Sequence, residues 1–150
     1  MPNHCENQIQ IFSNKGLKPI RKLIVNEDES HTQPIDFNLL VPQPDDVEWY
    51  SWCCENWGTK WNAYDCEILQ DIDVYDDVLE LKFTTAWGYP EGWIRKLVEK
   101  VLEHDPEASV CGFYRIEGYE AAGVWNTSDF IIEKRIFPSL SEHLKEHLND

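Results

Sequence analysis

Residues 55–65, ENWGTKWNAYD, set a lysine between two tryptophans, Trp57 and Trp61. An ammonium beside indoles can be held by their electron-rich faces. Aromatic walls around one polar group also suit a planar or anionic ligand. Asn56, Trp57, Thr59, Lys60, Trp61, Asp65 and Trp87 are therefore the candidate binding residues. A structural reading competes. Trp49, Trp52, Trp57 and Trp61 fall within thirteen residues, and each ring can remove about 150–250 Å² from water, roughly 4–6 kcal/mol of gross burial. Energy of that size pins a helix-to-strand connection to the core. On this reading Gly58 reverses the chain, Trp57 and Trp61 both fold inward, and Lys60 lies across one of them.

Other residue types capable of chemistry fit their templates poorly. Structural zinc sites pair ligands two to four residues apart, whereas Cys53 and Cys54 are adjacent, as are His4 and Cys5. The five cysteines, with Cys66 and Cys111, read as reduced thiols. DIDVYDD resembles a calcium loop, but counting from Asp71 puts Asp76 where that loop needs glycine and Lys82 where it needs glutamate. No phosphate-cradling glycine loop, G-x-S-x-G or H-E-x-x-H occurs. No local signature joins a cysteine to His4, His31, His104, His143 or His147. The expectation is a non-enzyme with no catalytic residue, no metal site and no cofactor.

Charge limits the partners. Against 28 Asp and Glu stand 13 Lys and Arg, a net charge of -15, which opposes binding to a phosphate backbone. Asp45, Asp46, Glu48, Asp71, Asp73, Asp76 and Asp77 form a candidate acidic face that would recruit a protein with a basic surface. The competing reading is a solubilising surface. No apolar run reaches the roughly 20 residues of a membrane span and no signal peptide opens the chain, so a cytosolic protein is expected, with neither nucleic acid nor membrane as a direct partner. The oligomeric state is not set by the sequence.

The elements that must position these residues follow from periodicity. CENQIQIFS alternates, with Ile9 and Ile11 on one face, and reads as a strand. Pro19 opens a short helix ending near Asn26. IDFNLL reads as a weaker strand, and residues 45–56 as a helix begun by Asp45 and Asp46. CEILQ follows, then VLELKFTTAW, with Leu79, Leu81, Phe83, Thr85 and Trp87 on one face. GYPEGWIRKLVEKVLEHDP is an amphipathic helix stopped by Pro106. SVCGFYRIEGYEAAGVW reads as a hairpin turning at Glu117 and Gly118, and SLSEHLKEHLND as a helix capped by Ser139 and striped by Leu140, Leu144 and Leu148. The whole is a single α+β domain over 1–150, a mostly antiparallel sheet with helices packed on one face, a helical Trp-rich insertion at about 44–64 and a C-terminal helix at about 139–148.

PNHCENQIQI, WYSWCCENWGTKWNAYD, LKFTTAWGYP and YRIEGYEAAGVW, in that order, resemble the Api92-like, or YubB-like, proteins of phages and plasmids over residues 2 to about 125. The core of the resemblance is W-x-x-x-N-W-G-T-K-W-N-A, from Trp52 to Ala63. The chain departs from the family pattern at His4, Gly88 and Tyr89. The resemblance implies a ferredoxin-like domain, a mobile-element origin and a bacterial cytoplasm, and no established activity. The function expected is an interaction protein, acting as an inhibitor or decoy of a host nucleic-acid-binding or defence protein. The alternative is a small-ligand binder using the aromatic pocket around Trp57, Lys60 and Trp61.

Overall fold

The computed structural model describes residues 3–28, 33–117 and 121–127. Within them five strands, β1 (His4–Phe12), β2 (Tyr64–Gln70), β3 (Val78–Ala86), β4 (Ser109–Ile116) and β5 (Ala121–Asn126), form one antiparallel sheet in the order β2-β3-β1-β4-β5. Three helices accompany it, α1 (Lys18–Arg21), α2 (Trp49–Asn56) and α3 (Glu91–His104), with a 3-10 turn at Phe37–Leu39. The fold is α+β. Among the described residues no helix is long and apolar enough to cross a membrane. The helix expected at about 139–148 lies outside the described residues.

Strand alternation sorts the two faces of the sheet. Cys5, Asn7, Ile9 and Ile11 of β1 are buried, as are Leu79, Leu81, Phe83 and Thr85 beside them on β3. Trp93, Ile94, Leu97, Val98 and Val101 supply the buried stripe of α3 to the same core. Phe37 is its hub: its ring stacks on Trp93 at 4.5 Å and meets Trp57 and Phe83 edge-on, each at 5.7 Å. The outer side of α3 carries the pairs Glu91 with Arg95, Lys96 with Glu99 and Lys100 with Glu103. The opposite face of the sheet is solvated, bearing Glu6, Gln8, Gln10, Lys82, Phe113 and Arg115.

Three expectations are corrected. IDFNLL is not a strand: only Ile35 makes a bridge, to Val25, and Asp36 then accepts a hydrogen bond from the Asn38 amide at 3.0 Å, capping the 3-10 turn. The helix expected at 45–56 begins at Trp49. Its N-cap is Glu48, which accepts from the Tyr50 and Ser51 amides at 3.3 and 2.7 Å, while Asp45 and Asp46 stand in the preceding turn. Trp87 does not continue the inward face of β3. The strand ends at Ala86, and Trp87 takes φ +77°, a left-handed conformation uncommon for a bulky residue.

Candidate functional site

The loop after α2 is built to hold two side chains outward while its backbone stays fixed. Trp57 is 2% exposed, and its indole Nε1 donates to the Val41 carbonyl at 2.9 Å. Gly58, at φ +82°, lets the chain reverse against the first turn of α3, where an added Cβ would lie 2.9 Å from the Glu91 nitrogen. The buried Thr59 hydroxyl donates to the Ala86 carbonyl at 2.7 Å. Asn62 closes the loop by accepting from the Phe37 and Ala63 amides, both at 2.8 Å, and donating to Asp36 at 2.8 Å. Between these anchors Lys60 and Trp61 project.

Trp87 is held with equal firmness from the other side. Its own amide donates to the Asn3 carbonyl at 2.8 Å, and the carbonyl before it receives Thr59. The next residue, Gly88, accepts from the Thr85 hydroxyl at 2.6 Å. Thr85 in turn accepts from the buried Asn7 amide at 2.9 Å, so the turn hangs from a polar chain inside the core. The Lys60 ammonium then lies 4.7 Å from the Trp61 ring centroid and 4.9 Å from that of Trp87, inside the range of cation–π attraction on both sides.

The aromatic surface continues beyond this sandwich. Tyr50 meets the Trp87 ring at 5.7 Å and Trp49 meets Tyr50 at 5.8 Å. Trp61 approaches Tyr64 at 6.4 Å, and the Tyr64 hydroxyl is hydrogen-bonded to His4 Nδ1. Burial pushes the Tyr64 phenol above its usual pKa. Trp49, Tyr50, Trp61 and Trp87 are 47, 38, 40 and 43% exposed. Three of these rings are in contact in sequence, the fourth joins them through the Lys60 ammonium, and all four are open to solvent, a patch of the kind that meets partners.

Of the candidate binding residues, the structure brings Lys60, Trp61 and Trp87 together on the surface and assigns the others to support. Trp57 and Thr59 are buried anchors, and the Asn56 amide donates to the Trp52 carbonyl at 2.9 Å, bonding the last turn of α2 to itself. Asp65, at φ +50°, sits in the irregular register between Tyr64 and Glu67 where β2 joins β3. Trp61 does not fold onto the core as expected; Lys60 does lie across one of the two expected rings, Trp61, and across Trp87 as well. Sequence reading missed Trp49, Tyr50 and Tyr64 as members of the surface. The signal available was the density of aromatics in WYSW, but their common direction depends on where α2 begins.

The seven acids divide into two groups. Asp45, Asp46 and Glu48 precede α2, and Glu48 caps the helix whose Tyr50 ring meets Trp87. Asp71, Asp73, Asp76 and Asp77 lie on the β2–β3 connection at the other end of β3 from Trp87, separated by roughly 26 Å for a strand of nine residues at about 3.3 Å each. Asp71 is engaged by Arg21, whose Nε and Nη2 donate to its two oxygens at 2.7 and 2.9 Å and hold its carboxyl below the usual range.

Two further places bring together groups capable of chemistry or binding. The Ser13 hydroxyl donates to Asp105 at 2.6 Å, but both are buried, and the bond ties the end of β1 to the end of α3. A groove of about 410 Å³ opens on the solvated sheet face between Leu69, Gln10, Phe113 and Val124; neither Lys60 nor either indole beside it lines that groove. Among the described residues no cluster of three His, Cys, Asp or Glu side chains could hold a metal. No family model matches this chain, and comparison with curated proteins and with solved structures finds no match.

Proposed function

We propose that the chain is a non-enzymatic protein-interaction module of phage or plasmid type, acting in the bacterial cytoplasm, and that it meets its partner through the aromatic end of its sheet. One observation carries this reading. Trp49, Tyr50, Trp61 and Trp87 stay between 38 and 47% exposed while touching one another or sharing the Lys60 ammonium, on backbone fixed by buried hydrogen bonds. Rigid aromatic anchors supply much of the binding energy of protein interfaces. The partner is a protein with a basic surface, in keeping with the net charge of -15 and with the Glu48 carboxylate that caps the helix carrying Trp49 and Tyr50. A host nucleic-acid-binding or defence protein presents such a surface.

The Api92-like resemblance and the topology support the same reading. We read the order β1, helix, β2, β3, α3, β4, with strands set 2-3-1-4 and all neighbours antiparallel, as a ferredoxin-like arrangement to which β5 adds an edge. Partner capture with Tyr50→Ala and Trp87→Gly tests the proposal. Glycine adopts the backbone at position 87 without strain, so Trp87→Gly is expected to melt within about 1 kcal/mol of the parent and to lose the partner. Capture that survives both substitutions overturns the reading. The complex should also weaken steeply with salt if charge guides it.

A further inference from the structure

Resting on that reading, we propose that Trp61 and Trp87 form a cage for a cationic side chain of the partner, an arginine guanidinium or a lysine ammonium, and that Lys60 is its resident occupant. The cage already holds a cation, with ring centroids at 4.7 and 4.9 Å from the ammonium. Arg21, Arg95, Lys96, Lys100 and Arg115 each reach a carboxylate. Among the described residues none comes within ion-pair distance of Lys60. In a chain with 28 acids to 13 bases, this charge is held by indole faces instead.

That arrangement is exchangeable. Ring faces hold the ammonium by a non-directional attraction, and Lys60 rides on a flexible four-carbon stem that can swing out without moving backbone. The walls cannot follow it. Trp87 is fixed by the Asn3, Thr59 and Thr85 bonds, and Trp61 is followed at once by the anchored Asn62. An incoming arginine would stack between the same faces, extend toward Tyr50 beside Trp87, and bring its own hydrogen bonds. The surroundings favour a cation: the Glu48 carboxylate is bonded to the Tyr50 and Ser51 amides at the foot of the helix whose Tyr50 ring meets Trp87, in a chain of net charge -15.

The experiment uses the whole chain and an acetyl-Gly-Arg-Gly-amide peptide, followed by NMR shifts of the Trp61 and Trp87 indole N–H signals. If Lys60 fills the cage about nine-tenths of the time, removing it tightens the peptide about tenfold. Lys60→Ala and Lys60→Gln should both do so, whereas Lys22→Ala, with the same change in net charge, should not. Trp61→Ala and Trp87→Gly should abolish binding. Unchanged or weaker binding by both Lys60 variants overturns the cage, because a site for an anion would lose affinity when the ammonium goes. If partner capture needs Trp87 but also needs Lys60, the interaction face stands and the cage falls. If capture needs neither, the interaction face itself is lost.

Discussion

Trp57 and Trp61, read alike in the sequence, should differ sharply when each is cut to alanine. Trp57 is 2% exposed, packs edge-on against Phe37 and Trp52 at 5.7 and 5.3 Å, and donates to the Val41 carbonyl. Its removal leaves a cavity and a carbonyl deprived of its indole donor, and a buried large aromatic costs about 3–5 kcal/mol on truncation. For a chain of 150 residues, where 1 kcal/mol moves the midpoint by about 2–4 °C, a loss of about 4 kcal/mol lowers Tm by roughly 8–16 °C. Trp61 is 40% exposed and water fills the space it leaves. Its truncation forfeits partial burial and a cation–π contact of about 0.5–1 kcal/mol, for a total of about 1–2 kcal/mol. Trp57→Phe, which keeps most packing and loses the hydrogen bond, should fall between the parent and Trp57→Ala. Urea unfolding of the three variants measures this directly. A Trp61→Ala loss equal to that of Trp57→Ala refutes the division between anchor and surface ring.

Other expected outcomes concern the parts that support the site. Gly92→Ala improves intrinsic helix propensity by about 1 kcal/mol, yet its Cβ would lie 2.4 Å from the Asn56 carbonyl oxygen, so denaturation should show a net loss of about 1–3 kcal/mol. Gly88→Ala meets nothing within 4 Å and should change stability by no more than about 0.5 kcal/mol. Asp71 has a depressed folded pKa, so its pairing with Arg21 stabilises above the unfolded carboxylate pKa near 3.9 and is lost as pH falls through the lower folded value. Asp71→Asn should therefore lie below the parent in Tm at neutral pH and converge with it in acid. Burial pushes the Cys5 thiol up to about 12 and the Cys66 thiol up to about 11. Iodoacetamide at neutral pH, read by mass spectrometry, should mark exposed Cys111 and half-buried Cys54 and spare Cys5 and Cys66.

Where one interaction dominated locally, the sequence was readable. β1 and β3 followed from alternation and α3 from its apolar stripe, because each buries one face along its whole length. IDFNLL was misread because its Asp36 carboxylate competes for backbone amides, a local contest that hydropathy does not register. The chemistry at Lys60 was visible as a cation among indoles, but the second indole arrives from the end of β3, and adjacency pointed to Trp57 instead. Trp87 carried the parity of an inward residue. Only the end of the ladder at Ala86 and the positive φ turn it outward.

The junction of α2 with α3 has a consequence for how this surface can vary. Gly58 lies against the first amides of α3, Gly92 lies against the Asn56 carbonyl, and the Trp93 amide donates to the Trp57 carbonyl at 3.3 Å. Backbone here touches backbone, so the loop has no slack. Single-letter exchanges at positions 49, 50, 60 and 61 alter what the surface offers without disturbing its footing, whereas one residue added or removed between 56 and 62 would shift every anchor at once. A library built on this chain should accept wide diversity in side chains and almost none in loop length, with the same asymmetry in any descendant that changes its partner.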